Sequence, residues 1–431
     1  MDHAVIIGAS MAGLLSAAAL HRRFARVTVL DRDTLPTLDT HRRGTAQSRH
    51  AHGLLARGRE IMEELLPGLT AELVTHGATR GDLQERTRWV HAGRALARGT
   101  SGLEGLLVSR PLLEGEIRRR VSELPGVEVR SGQVVTGLLS EPGRVTGVRL
   151  ATGETLAAGL VLDASGRGSR APEWLAALGY DPPEEERVTI GLRYGTREFR
   201  RREGDLDGDL AVIIAPTVET PRAGVGLALE DERWIVTMAG YAGEEPPLDL
   251  PGFTAYATRL PSPDLHELIM AAEPIGEPRG YRTPASVRRR YERLDRFPEG
   301  LLVTGDAICS FNPLYGQGMS VAALEARALL DPDLRPQAFY RRAGAVLDAP
   351  WDIVVGGDLR LPGVEGKVTP RVRMVNAYLE RFHAAAHHDP GLAQRFLRVA
   401  NLIDPPPALL SPAALLRVFR SGARPAEPAL A

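Results

Sequence analysis

The chain reads GDAICSFNPLYGQGMS from Gly305 to Ser320, and this is its most informative stretch. The apolar run before it, residues 300–304, predicts a buried strand, and residues 322–330 predict a helix. A strand that passes through Gly-Asp and a glycine-rich loop into a helix can hold an extended ligand against bare backbone, because glycine places no side chain in the way. The stretch therefore predicts a ligand-binding loop between a strand and a helix.

A second glycine-rich loop lies near the N-terminus. Residues 4–7 predict a short strand, GASMAG runs from Gly8 to Gly13, and a helix and a second strand then lead to Asp31. Asp31 stands 23 positions after Gly8, near the spacing of about 20 for a carboxylate that binds ribose. Gly8 permits the tight turn, Gly13 lets helix and strand pack closely, and the helix N-terminus faces a pyrophosphate. Ser10 replaces the usual glycine and is small enough for the same approach. The loop predicts dinucleotide binding.

Composition limits the classes of partner. The 431 residues carry a net charge of −1, so no overall field favours nucleic acid or an anionic membrane. No apolar run reaches the ~18 residues that a bilayer span needs. Cys309 is the only cysteine, which excludes an internal disulfide and a Cys-x-x-Cys redox pair. We expect a cytoplasmic protein with no membrane span and no nucleic-acid partner.

The pattern predicts an α/β protein in three parts. A discontinuous dinucleotide-binding domain is expected at 1–80, 100–186 and 286–338, a β-sheet substrate domain at 81–99 and 187–285, and a helical C-terminal region at 339–431. Alternating residues within the first part predict an antiparallel meander at 127–130, 133–140 and 144–150. The second part contains no phosphate-binding turn, which is why it is assigned to the substrate.

Three separated segments together resemble the FAD-dependent aromatic hydroxylase and epoxidase superfamily, typified by p-hydroxybenzoate hydroxylase and squalene epoxidase. They are residues 8–13 with Asp31, residues 163–170, and residues 305–319, and the resemblance covers most of residues 1–330. The third segment is the most specific, because Gly-Asp followed by Pro-x-x-Gly-x-Gly is seldom found outside these flavoproteins. The resemblance implies a Rossmann-type (GxGxxG) FAD-binding domain interleaved with a β-sheet substrate domain.

The resemblance also implies which residues hold FAD. Asp306 matches the aspartate that binds the ribityl chain, Pro313 lies beside the isoalloxazine ring, and the loop 316–318 presents backbone N–H groups to the carbonyl edge of that ring. The full expected set of cofactor-binding residues is Gly8, Ser10, Met11, Ala12, Gly13, Asp31, Arg32, Arg43, Gln47, Arg110, Val134, Asp163, Gly166, Gly305, Asp306, Pro313, Gly316, Gln317, Gly318 and Met319.

The chain is similar, more narrowly, to actinobacterial epoxidases of polyether and terpenoid pathways, through GASMAG, the stretch around His50 and His52, NPLYGQGM, and the tail with Trp351 and Asp358. This implies a monooxygenase of natural-product biosynthesis that inserts one oxygen atom of O₂ into an alkene or arene through a flavin C4a-hydroperoxide. Electrons would come from NAD(P)H, either directly or through a separate flavin reductase. Ser165 stands where the family motif carries an aspartate, so both routes stay open.

The expected substrate is a small apolar molecule, a polyene, terpenoid or aromatic compound. Phe311, Leu314 and Tyr315 are expected near the reacting side of the flavin. Trp234, Met238 and Tyr241 are candidates for the opposite wall of the cavity, although Trp234 and Met238, four apart on a strand, also suit core packing. His50 and His52 without a third ligand argue against a metal site.

Other activities are compatible with the same motifs. A flavin-dependent reductase of prenyl or polyene double bonds would share the Gly-Asp segment and an apolar cavity. A flavin-bound cyclase or scaffold without redox turnover would use FAD only to shape the cavity. A flavin-dependent halogenase is disfavoured, because the four tryptophans stand apart and the only lysine, Lys367, lies far along the C-terminal region.

Overall fold

The computed structural model describes residues 2–36 and 40–422, apart from the side chains of Arg43 and Ala46. The strands are β1 (His3–Ile7), β2 (Arg26–Leu30), β3 (Thr79–Asp82), β4 (Thr87–His91), β5 (Arg94–Ala95), β6 (Glu104–Leu107), β7 (Val127–Arg130), β8 (Val135–Glu141), β9 (Arg144–Leu150), β10 (Thr155–Ala157), β11 (Leu160–Asp163), β12 (Glu185–Arg200), β13 (Ala211–Ile214), β14 (Arg222–Leu229), β15 (Arg233–Gly240), β16 (Pro274–Arg289), β17 (Leu301–Val303) and β18 (Cys309–Ser310). The helices are α1 (Met11–Leu20), α2 (Ala56–Leu65), α3 (Leu69–Thr75), α4 (Leu83–Arg86), α5 (Arg110–Ser122), α6 (Ala171–Ala177), α7 (Leu250–Ala257), α8 (Asp264–Ala271), α9 (Gly318–Ala328), α10 (Pro336–Asp358), α11 (Pro370–Ala386), α12 (Pro390–Ala400) and α13 (Pro412–Arg420).

A parallel sheet of five strands, in the order β17-β11-β1-β2-β7, forms the centre of the first part of the molecule. Its strands are buried, and α1 packs between the sheet and helices α5 and α9. Gly8, Asp31, Ala164 and Thr304 follow the carboxyl ends of four of these strands. In open parallel sheets this edge is where ligands bind, so the predicted motifs meet at the expected place.

The predicted meander differs from the structure in its first strand. Residues 127–130 form β7, which pairs in parallel with β2 at the edge of the central sheet. The meander consists instead of β8, β9 and β10. Backbone bonds from Asp31 to Arg130 and from Gln133 to Asp31 fix the connection after β7. The alternating residues of 127–130 are compatible with either sheet. They pair with β2 because that strand has an unpaired edge next to them.

The second sheet has eight strands in the order β18-β16-β12-β15-β14-β13-β4-β5. All neighbouring pairs are antiparallel except β13 and β4. Helices α7 and α8 cover one face, where Phe253, Leu265 and Leu268 pack on residues of β15. The other face turns towards the 313–315 segment and the end of α10.

The C-terminal region consists mainly of the helices α10 to α13, the last of which ends at Arg420, and residues 423–431 of the predicted region lie outside the described part. Pro370, Pro390 and Pro412 each open a helix, where a missing N–H costs nothing. Helices α11 to α13 share a hydrophobic core of their own, centred on Phe382 and Leu392. Across residues 2–36 and 40–422 no helix has both the length and the apolar character to cross a membrane.

Candidate functional site

A single cavity of about 1150 Å³ extends from the carboxyl edge of the parallel sheet to the helices α11 and α12. Its wall includes both glycine-rich loops, the open face of the eight-stranded sheet and the end of α10. The cavity therefore joins the predicted dinucleotide site to the predicted substrate side of the molecule.

Glycine is required at the turns that form the first end of this cavity. Gly8 has φ +106°, and a Cβ there would lie 2.5 Å from the carbonyl oxygen of Ala164. A Cβ on Gly13 would lie 1.8 Å from the carbonyl oxygen of Gly8, and one on Gly305, at φ +67°, would lie 2.6 Å from the Cβ of Ala12. These contacts hold strands and helix close together and leave the cavity wall as bare backbone.

A buried network of charges lies beside the N-terminus of α1. Arg42 contacts Asp31 at 3.2 Å and Glu114 at 2.8 Å, while Arg110 contacts Glu114 at 2.9 Å and Ser10 donates to the same carboxylate at 2.8 Å. Burial alone would raise the pKa of Glu114, but the charges of Arg110 and Arg42 outweigh it and lower that pKa to about 2. The network keeps Asp31 and Arg110 in fixed positions on the cavity wall.

Most of the sequence-predicted cofactor residues line the cavity. They are Gly8, Ser10, Met11, Ala12, Asp31, Arg32, Gln47, Arg110, Val134, Gly166, Gly305, Asp306, Pro313, Gly316, Gln317, Gly318 and Met319. Gly13 lies behind them in the helix–strand contact. The side chain of Arg43 lies outside the described residues. Its neighbour Arg42, which the sequence reasoning missed, makes the ion pairs, and the signal that could have found it is the set of carboxylates at positions 31, 33 and 114.

Asp163 does not line the cavity and is a correction to the predicted set. It is fully buried at the end of β11, where its carboxylate accepts hydrogen bonds from the hydroxyls of Ser165 and Ser169, at 2.5 and 2.6 Å, and from the backbone N–H of Ser165. Asp163 therefore shapes the 165–169 turn from behind. Gly166, at the tip of that turn, is the residue that faces the cavity.

The Gly305 turn is held from behind by Glu325 of α9. The buried Glu325 carboxylate accepts from the backbone N–H of Gly305 at 2.6 Å and from the hydroxyl of Thr304 at 3.0 Å. Burial raises the pKa of this carboxyl to about 7. On the cavity side of the turn, Asp306 lies 3.5 Å from Arg167.

Helix α9 begins at Gly318, four residues earlier than the predicted 322–330 helix. Its first N–H groups therefore belong to the glycine loop itself, and the N-terminus carries the positive end of the helix dipole. Gly318 has open space at its Cβ position. The side-chain oxygen Oε1 of Gln317 is buried, and no hydrogen-bond partner for it is found among the described residues. The loop can therefore accept a ligand that brings its own donors and acceptors.

A buried polar cluster connects this loop to α10. Asn312 donates to Asp358 at 2.9 and 3.1 Å and to the hydroxyl of Tyr241 at 2.8 Å. Tyr241 and Tyr315 donate to the same oxygen of Asp358, at 3.1 and 3.2 Å. Burial raises the pKa of Asp358 to about 7, although these hydrogen bonds oppose the rise. The cluster sets the position of the 312–315 segment.

The far part of the cavity is mainly apolar. Phe311, Leu314, Tyr315 and Tyr241, the candidates for the substrate side, are among its lining residues. Further apolar lining comes from Trp89, Ile213, Ile214, Val225, Leu227, Ile353, Val372, Val375, Leu379, Phe396 and Leu409. The chamber is therefore suited to an apolar ligand.

Trp234 and Met238 are not part of this wall. Both are fully buried in the core beneath α7 and α8, and the indole of Trp234 donates to Asp205 at 2.9 Å. Side chains alternate along β15, so Thr237 and Tyr241 face the cavity while Trp234 and Met238 face the helices. The prediction that these two line the cavity is wrong for that reason.

His50 and His52 line the middle of the cavity. His50 contacts the hydroxyl of Thr196 at 2.8 Å and packs edge-on against Tyr194, with ring centroids 4.6 Å apart. Burial lowers the pKa of His50 to about 4, so this imidazole is neutral at neutral pH. Within the described ranges no three His, Cys, Asp or Glu side chains are grouped so as to hold a metal ion.

Comparison with known proteins defines the class. A family model described as "FAD binding domain" matches residues 2–331, and the chain belongs to this family of FAD-binding proteins. Its cofactor is FAD. More particularly, the chain is 36% identical to Protein Rv3254 of Mycobacterium tuberculosis over 434 aligned positions, which cover 94% of this chain and 90% of that protein.

Solved structures show the same fold at low sequence identity. PqsL of Pseudomonas aeruginosa, described as a probable FAD-dependent monooxygenase, is 19% identical over 92% of this chain and 99% of its own, with a TM-score of 0.61. The flavin-dependent brominase Bmp2 is 15% identical over 97% of this chain and 99% of its own, with a TM-score of 0.65.

The described residues fit FAD. Both glycine-rich loops, the first residues of α1 and α9, and Gln317 line one continuous wall of the cavity. Asp31, Asp306 and the N-termini of α1 and α9 are the groups on this wall that could hold the cofactor.

Proposed function

We propose that the protein is an FAD-dependent monooxygenase that adds one oxygen atom of O₂ to an apolar alkene or arene, with epoxidation in natural-product biosynthesis as the reaction. The observation that carries the proposal is the single cavity in which the wall that suits FAD continues directly into an apolar chamber. A substrate in that chamber lies against the 311–315 segment, next to the start of α9.

When bound, FAD supplies the activation of O₂, and the protein supplies position and environment. The N–H groups at the start of α9 would hold the carbonyl edge of a bound flavin ring and stabilise negative charge there. Phe311 and Leu314 exclude water and hold the substrate beside the ring. Epoxidation of an alkene needs no protein nucleophile, so the apolar character of the chamber suits it.

Electrons come from NAD(P)H, and the proposal includes both direct reduction and supply through a separate flavin reductase. In the 163–170 segment, Ser165 stands where the family motif carries an aspartate. The nearby Asp163 is buried behind the turn and accepts a hydrogen bond from the hydroxyl of Ser165. Mixing the purified yellow protein with NADPH, with and without an added flavin reductase, distinguishes the two routes by the rate at which the flavin colour is lost.

The fold that this chain shares with the brominase Bmp2 does not support a halogenase activity for it. Lys367 is the only lysine of the sequence, and its side chain is exposed on the loop before α11, outside the residues that line the cavity. A halogenase of this class needs a lysine at the path between flavin and substrate, which the cavity does not provide.

Oxygenation is tested by supplying the FAD-loaded protein with NADPH, a flavin reductase, ¹⁸O₂ and a panel of polyenes and arenes. We expect a product that has gained one ¹⁸O atom. A product that has gained two hydrogen atoms and no label would show a double-bond reductase instead. Turnover that continues with 5-deazaFAD, or without reductant and O₂, would show a cyclase or scaffold.

A further inference from the structure

One cationic side chain in the apolar chamber has no anionic partner. The guanidinium of Arg360, just after α10, lines the cavity and is half-buried. Within the described ranges no Asp or Glu oxygen lies within 4.0 Å of it, and its Nε is buried without a hydrogen-bond partner. Its remaining contacts are long, 3.4 Å to the carbonyl oxygen of Pro216 and 3.5 Å to Nε2 of His91. A partly desolvated cation normally has an anion beside it.

Two buried histidines lie beside this guanidinium. His91, at the end of β4, and His383, on α11, stack with ring centroids 4.1 Å apart, and each is only 7% exposed. Both line the cavity, and Nδ1 of His383 is buried without a partner. A polar group that is buried without a partner is costly, so a ligand that satisfies it gains affinity.

The charge of this cluster is one positive unit. Burial lowers the pKa of His91 to about 3 and lowers the pKa of His383 well below its ordinary value, and the charge of Arg360 acts in the same direction on both. At neutral pH the histidines are therefore neutral donors and acceptors. Asp352 and Arg371 also line this part of the wall and are exposed to solvent. The charge of Arg360 also acts on the buried Asp358, where it opposes the rise in the pKa, but no oxygen of Asp358 lies within 4.0 Å of the guanidinium. One cation with neutral neighbours matches a monoanion better than a polyphosphate.

We propose that Arg360, with His91 and His383 beside it, binds the carboxylate of an apolar carboxylic acid. The inference rests on the proposed function and narrows its substrate to an unsaturated or aromatic acid that is held by its acid end. Arg360 presents a planar fork that pairs with both oxygens of a carboxylate, and the surrounding wall accepts the hydrocarbon part.

The position of the cluster agrees with this role. A Cβ on Gly357 would lie 2.2 Å from the hydroxyl oxygen of Tyr315, so the end of α10 passes directly against the 313–315 segment. Arg360 follows three residues later. An acid anchored at Arg360 therefore extends along the same wall that borders the proposed flavin position.

Binding is tested on the FAD-loaded protein by calorimetry with four probes that share one chain: farnesoic acid, farnesol, methyl farnesoate and farnesyl diphosphate. We expect farnesoate to bind at least about tenfold more tightly than the alcohol and the ester, as charged hydrogen bonds of this kind do. In Arg360→Gln the preference is lost while farnesol binding is unchanged. In Arg360→Lys, which keeps the charge without the fork, part of the preference remains.

Arg381→Gln is the matched control, because it removes an exposed positive charge two residues before His383 on α11. It should keep the preference for the acid. Equal affinities for acid and alcohol in the natural chain, tightest binding of the diphosphate, no binding of farnesoate, or an equal loss in Arg381→Gln would each overturn the proposal. The binding comparison needs no turnover, so failure of the ¹⁸O₂ experiment would refute oxygenation without altering this result.

Discussion

The side-chain amide of Asn312 donates to both carboxylate oxygens of Asp358, at 2.9 and 3.1 Å. Asn312 belongs to the glycine-rich segment of the FAD-binding region, whereas Asp358 ends the first long helix of the C-terminal region. Both side chains are fully buried. The geometry of the glycine-rich loop is therefore set in part by a residue outside the family match to residues 2–331.

Removing the Asp358 carboxylate should destabilise the protein. In Asp358→Ala the donors of Asn312, Tyr241 and Tyr315 lose their shared acceptor, and an unsatisfied buried donor costs on the order of 1–3 kcal/mol. We expect the Tm to fall by about 5 °C or more, and by less in Asp358→Asn. Asp352→Ala, at an exposed position of the same helix, is the control. Equal shifts in Asp358→Ala and Asp352→Ala would show that the cluster contributes nothing.

A methyl group at Gly305 should reduce FAD binding. In Gly305→Ala the added Cβ meets Ala12 at 2.6 Å, and the backbone is held at φ +67°. Strain of this kind costs on the order of 1–3 kcal/mol, so we expect FAD affinity to fall by about tenfold or more. Flavin absorbance retained after gel filtration measures the loss. Gly137→Ala, where the Cβ has open space, should retain FAD like the natural chain. If Gly137→Ala also lost FAD, the loss in Gly305→Ala could not be attributed to the Gly305 turn.

Asp306 should contribute directly to FAD retention. It lines the cavity between the Gly305 turn and Arg167, where it can accept hydrogen bonds from the ribityl chain. We expect Asp306→Ala to weaken FAD binding by about tenfold, as measured by fluorescence titration of the apoprotein. Asp295→Ala changes an exposed carboxylate that does not line the cavity and serves as the control. Unchanged FAD affinity in Asp306→Ala would take Asp306 out of the binding site.

Stability should fall as pH rises through neutrality. Burial raises the pKa of Glu325 from 4.5 to about 7. The folded state therefore binds the proton more tightly than the unfolded state, and the resulting stabilisation is complete below about 4.5 and lost as pH rises through about 7. Asp358, whose burial also raises its pKa to about 7, acts in the same window.

Replacing Glu325 should flatten this profile. Glu325→Gln keeps an acceptor for the N–H of Gly305 and carries no charge, so we expect a smaller drop in Tm between pH 5.5 and pH 8 than in the natural chain. Glu203→Gln, an exposed position, is the control and should leave the profile unchanged. A profile of the same slope in Glu325→Gln would mean that Glu325 is already ionised across this range.

The glycine loops could be placed from sequence because their geometry is local. Gly8 and Gly305 are needed at positive φ, and the apolar strands before them fix which edge of the sheet they occupy. The sequence predicts too late a start for α9, because glycine and serine at positions 316–320 favour a loop by composition. In the structure the helix begins at Gly318, and its first residues line the cavity.

Contacts between elements that are distant in the sequence could not be predicted in the same way. The period of two along β15 places Trp234 and Met238 on one face, but which face meets the cavity depends on where α7 and α8 pack. Arg42 directly precedes a short 3-10 segment that begins at Arg43, and the carboxylates that bind Arg42 come from α5 and from the end of β2. Spacing within one segment carries no information about such partners.

Helices α11 and α12, with residues 406–410, line the apolar end of the cavity, and α11 to α13 pack around their own core of Phe382, Leu392 and Val418. Residues that line the chamber there, such as Leu379 and Phe396, are thus separate from the two glycine-rich loops that line the same cavity. Substrate selection and cofactor binding would therefore depend on different segments of the chain. We expect that substitutions on these helices change which substrates fit the chamber and leave both glycine loops as they are.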